Sequence, residues 1–180
     1  MPSDSTLSPS IPEASLPLER DLFLRSLLRE LSGTLQEVVG LREAEGFVSV
    51  VGQSIGTQIL EQYTGALRVE HLSPNQLSAV LVDLKRRIHG DFYVIEEDDT
   101  KIVLGNRVCP FGDKVKDRPS LCMMTSNVFG VISAETTGFA KVSLEETIAN
   151  GHHGCRVVVY LEPSAESDAA EGRTYYRKPA

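Results

Sequence analysis

The hydrophobic period of this chain changes once, at Gly90, and that change constrains the fold more than any other feature. Before Gly90, apolar residues recur every three or four positions, as on one face of a helix; after it, short β-rich runs surround a single further helical stretch. In the first helical stretch, Leu24, Leu27, Leu28, Leu31, Leu35, Val38 and Val39 share a face. A second runs from Ala44 to Tyr63 after a break at Gly40, with Phe47, Val50, Val51, Ile55 and Ile59 apolar and Gly52 and Gly56 one turn apart. The third is the most clearly bounded. Ser73 caps it, Pro74 suits its first position, Gln76 completes a Ser-x-x-Gln box, and Gly90 ends it. Its inner face is Leu77, Val80, Leu81, Leu84 and Ile88.

Phe92–Ile95 and Lys101–Leu104 then read as a hairpin around the acidic turn Glu96-Glu97-Asp98-Asp99, whose spacing is not that of a calcium loop. Pro119 opens a helix with Leu121, Met124, Val128, Val131 and Ile132 on one face, and strands follow at Phe139–Leu144 and Arg156–Leu161. Three helices, a hairpin, a helix and two strands predict an α+β fold: N-terminal helices packed with a mainly antiparallel sheet of about four strands and an intervening helix. Residues 1–17, rich in proline and serine, are expected to form a disordered arm, and residues 164–180 a flexible tail, leaving one domain over 18–163.

A net charge of −7 opposes bulk binding to nucleic acid or to anionic lipid. No run approaches the roughly 18–20 apolar residues of a membrane span, and the first residues lack the pattern of a signal peptide. The expectation is a cytoplasmic protein. Its three cysteines make a disulfide framework a poor explanation.

Cys109, Cys122 and Cys155 each fall at the boundary of a predicted element, separated by twelve and thirty-two residues. Such boundaries can converge at one end of a sheet, and three thiolates with a fourth ligand from His152, His153 or Asp113 would suit zinc or an iron–sulfur cluster. Buried thiols acting as small apolar groups are the alternative. So is catalysis by Cys122, at the start of a helix whose dipole favours a thiolate. Gly52, Gly56, Thr125 and Phe129 are candidates for lining a ligand pocket, the two glycines equally for close helix packing. The stripe Leu24, Leu27, Leu28, Leu31 and Leu35 either closes the chain's own core or meets a partner.

The segment CPFGDKVKDRPSLCMMTSNVFGVISAETTGFAKVSLEETIANGHHGCRVVVYL, Cys109 to Leu161, resembles the vinyl-reductase-type small-molecule-binding superfamily, and within it the methanogen output domain branch of prokaryotic signalling proteins. A Cys-Pro after the hairpin, a cysteine opening the next helix and a Gly-Cys opening the last strand carry the resemblance. It implies a sensory or regulatory module with the cysteines as a metal or redox site, a small apolar ligand, and signalling through a homodimer or another protein partner. The alternative is an enzyme modifying a tetrapyrrole or other small molecule through a cysteine thiol, although no nucleotide-binding fingerprint is present to supply hydride.

Overall fold

A computed structural model describes residues 15–177. Three helices come first, α1 (Arg20–Val39), α2 (Leu41–Leu67) and α3 (Pro74–Arg87). The hairpin β1 (Phe92–Glu97) and β2 (Lys101–Asn106) follows, then α4 (Cys122–Thr137), β3 (Phe139–Glu146), β4 (Cys155–Tyr160), the short α5 (Ala165–Ala169) and β5 (Arg173–Tyr176). All strand pairs are antiparallel, in the order β1-β2-β4-β3-β5. The α+β expectation holds, with five strands where about four were predicted.

The two-residue period of the strands separates their faces. Ile102, Leu104, Val142, Val157 and Val159 face the helices and join Leu77, Leu81, Leu84, Phe129 and Ile132 in the main core, whereas Val103, Val158 and Tyr160 cluster separately. α4 lies between α2 and the sheet, and Val128, Phe129, Ile132 and Ala134 are buried along it. Its neighbours approach closely because they lack side chains. A β-carbon on Gly52 would stand 2.8 Å from Asn127 Cβ, and one on Gly56 would stand 3.2 Å from Val128 Cα. These two glycines therefore serve helix packing.

The C-terminal segment corrects the expectation of a flexible tail. Ser164 and Ser167 bond reciprocally to start α5, and β5 then pairs with β3 from Phe139↔Tyr176 to Val142↔Arg173. Tyr175 is buried; its ring occupies the space that a side chain on Gly130 would need, and its hydroxyl lies 2.9 Å from Ser126 Oγ. Arg177 donates to the carbonyls of Glu135 and Thr136, satisfying orphan acceptors at the end of α4. The expected disordered arm lies almost wholly outside the described residues; Ser15–Pro17, its described part, are exposed and without regular structure.

α1 is attached by its polar side. Arg29 Nη1 donates to the carbonyls of Lys114 (2.9 Å) and Lys116 (2.6 Å), Gln36 Oε1 accepts from Ser120 Oγ at 2.6 Å, and Ser32 and Gly33 are buried. Leu24, Leu27, Leu28 and Leu31 are 42–53% exposed, and Leu35 is half-buried. The stripe does not close the chain's own core. Among the described residues no helix is long and apolar enough to cross a membrane.

Replacing Tyr175 by Ala should leave a cavity against α4 and cost about 3–5 kcal/mol in urea denaturation, which a flexible tail would not do.

Candidate functional site

α1, α3, α4 and the sheet enclose a cavity of about 390 Å³. Leu24 and Leu28 of α1 form one wall, Met124 and Thr125 of α4 another, and Leu144 and Val157 of the sheet a third; Phe92 and Phe111 add aromatic surface. The predominantly apolar lining with a few polar groups is the usual chemistry of a small-molecule pocket.

The polar groups come from element ends. Asn106 closes β2, Thr147 follows β3, and the three cysteines stand where the sequence places them at boundaries. Cys109, Cys122 and Cys155 all line this one cavity. Asn106 Nδ2 donates to Cys155 Sγ at 3.6 Å, and Asn106 Oδ1 accepts from the Val108 N–H. Burial pushes the Cys109 thiol up, and it pushes Cys122 up to about 12 against the opposing effect of a hydrogen bond with Thr147. The helix dipole does not rescue a thiolate at Cys122. A 3₁₀ turn, Pro119–Leu121, runs directly into α4, so the Cys122 N–H is already bonded to Pro119 and Ser120 carbonyls.

The other proposed ligands lie elsewhere. His152 and His153 are exposed and border a shallow depression on the surface with Asp113 and Lys116; of the three cysteines only Cys109 reaches it. Asp113 is held by Lys116 at 2.8 Å. Among the described residues no group of three or more His, Cys, Asp or Glu side chains is placed to hold a metal ion. With burial also raising two of the thiols, the arrangement of these side chains lends no support to zinc or to an iron–sulfur cluster. Of the four candidate pocket residues, Thr125 lines the cavity, while Phe129 is fully buried in the core against Phe92, with ring centroids 5.5 Å apart.

The residue that sequence reasoning missed is Lys85. It sits on the inner face of α3, four positions after Leu81, and is only 3% exposed. Its Nζ donates to Thr125 Oγ1 at 2.8 Å and lies 5.3 and 5.1 Å from the ring centres of Phe92 and Phe129. Desolvation lowers its pKa from 10.5 to about 8, although nearby thiols act the other way. The signal was a lysine in register with Leu77 and Leu81, where the stripe calls for an apolar residue.

A buried ammonium with a depressed pKa destabilises the fold below that pKa, and the penalty disappears as pH rises from about 8 to the unfolded value near 10.5. Lys85→Met should therefore be more stable than the parent at pH 7, by about 2–3 kcal/mol, with the difference closing by about pH 10.5. Urea titrations of the two proteins in parallel, in which thiol and phenol ionisation cancels, measure that difference.

The profile of methanogen output domain 1 matches residues 27–160. No functionally curated protein matches the sequence. Among solved structures, the phenol-responsive sensory domain of the transcription activator PoxR, crystallised with phenol, superposes with a TM-score of 0.60 at 16% identity, covering 87% of this chain and 82% of that one. A trafficking protein particle complex subunit 3 from Naegleria fowleri, covalently bound to palmitic acid, gives 0.53 at 11% identity, covering 78% and 96%. At such identities these likenesses concern the fold, but the profile match spans most of the sequence, and the chain belongs to the methanogen output domain 1 family.

Proposed function

We propose that this chain is a sensory module whose cavity takes a small, largely apolar molecule and whose helix α1 reports occupancy to a partner, which we assign as a second copy of the chain. One observation carries the reading: Leu24 and Leu28 belong both to the cavity wall and to the half-exposed leucine stripe of α1. A ligand that presses on α1 from within changes the surface that α1 offers outside, with no longer route needed. Family membership supports a signalling role, and two proteins of similar fold, the PoxR sensory domain with phenol and the trafficking subunit with covalently bound palmitic acid, support an apolar ligand. A second copy suits the stripe because four leucines exposed along one helix form a self-complementary apolar ridge of the kind that isologous contacts bury.

Catalysis by Cys122 finds no comparable support. A nucleophile needs a lowered pKa or a base against it, and burial raises this thiol while His152 and His153 border a different depression.

N-phenyl-1-naphthylamine, a neutral dye that fluoresces in apolar cavities, should bind the protein, and Leu144→Trp, which fills the cavity from β3, should reduce that binding at least tenfold. Unchanged binding would place the dye outside the cavity and remove the sensor reading. In sedimentation velocity the parent should be a dimer at micromolar concentration, and Leu27→Glu with Leu31→Glu a folded monomer. A monomeric parent would overturn the assignment of the partner.

A further inference from the structure

We infer that the cavity selects a ligand with an acidic head on an apolar body, and that the Lys85 ammonium is the counter-ion awaiting that head. The inference rests on the cavity being a ligand site and names the class of ligand.

An ammonium withdrawn from water needs a compensating anion or a full set of acceptors. Lys85 has neither. Of its three donors, one meets Thr125 Oγ1, and among the described residues no carboxylate lies within ion-pair distance of it. The two aromatic faces of Phe92 and Phe129 offset only part of the lost hydration. Of the other ionisable groups bordering the cavity, Asp21, the one carboxylate, is held by Arg25 at 2.8 Å, His89 is not an acid, Cys109 and Cys122 are kept protonated by burial, and Cys155 Sγ is engaged by Asn106 Nδ2 at 3.6 Å. A carboxylate entering from solvent with an apolar body behind it would answer both halves of the lining: the ammonium and Asn106 Nδ2 as donors for the head, Leu24, Leu144 and Val157 as surface for the body. The arrangement is costly without a ligand and relieved by one, so the free energy of relief becomes selectivity for charge.

The test uses 2-naphthoate and its neutral isostere 2-naphthamide, compared by isothermal titration calorimetry on the full chain. At pH 7 the parent should bind the acid at least tenfold more tightly than the amide, and Lys85→Met should keep the amide affinity and lose the preference. A second measurement follows pH. The affinity of the parent for naphthoate should fall about tenfold from pH 7 to pH 9 as the ammonium loses its proton, while the weaker naphthoate affinity of Lys85→Met, which keeps the thiols, His89, Arg25 and Asp21, stays level. Equal affinity for acid and amide, or an acid preference surviving in Lys85→Met, overturns the inference and leaves the cavity as a site for neutral molecules. If neither naphthalene binds but the neutral dye does, the inference falls and the sensor reading stands; if the dye fails as well, both fall.

Discussion

Everything functional here depends on how closely α4 is clasped between α2 and the sheet. The helix is buried along most of its length, so its position tolerates little slack, and the approach on either side requires residues without side chains: Gly52 and Gly56 on α2, and Gly130 where the Tyr175 ring enters. Because the segment before α4 is a 3₁₀ turn continuous with it, this packing also fixes Cys122, Met124 and Thr125 at the cavity. The site is thus positioned by the core, while its remaining wall, α1, is held by hydrogen bonds to loop carbonyls.

That division gives the cavity one firm side, packed into the core, and one tied on by hydrogen bonds. On the firm side lie the groups with strong electrostatic demands, Lys85 with Thr125 and Asn106 with Cys155. Desolvation raises the Cys109 and Cys122 thiols and lowers the Lys85 ammonium, so the cavity sets two neutral thiols beside an easily neutralised amine. Three cysteines in one cavity therefore lend a metal centre no support by themselves: Cys109 and Cys122, which would have to ionise to bind a cation, stand in surroundings that oppose it.

The architecture was largely legible because hydrophobic period reports local geometry. The change at Gly90, the Ser73–Gln76 box and the β-rich runs that became β2 and β4 all matched the elements that form. Residues 164–177 were misread because their ordering comes from distant partners: Tyr175 finds its place against Gly130, and Arg177 against the end of α4, contacts that no local pattern announces. In the site, spacing placed the cysteines at element boundaries, but it does not show which boundaries share a cavity, and His152 and His153 turned outward. Lys85 was overlooked because charge in a sequence is read as exposure, and only the helical register of α3 argues otherwise.

The polar attachment of α1 has a thermodynamic consequence. Releasing a helix that had buried its leucines would expose apolar surface and carry a large positive heat-capacity change, making the release steeply dependent on temperature. The stripe leucines of α1 are about half exposed, and Leu24 and Leu28 also wall the cavity, so a detached α1 would give up hydrogen bonds to carbonyl groups and uncover apolar surface on both sides of that wall. Any release of α1 would therefore carry a positive heat-capacity change set by the leucines and the cavity wall, and its balance would shift with temperature.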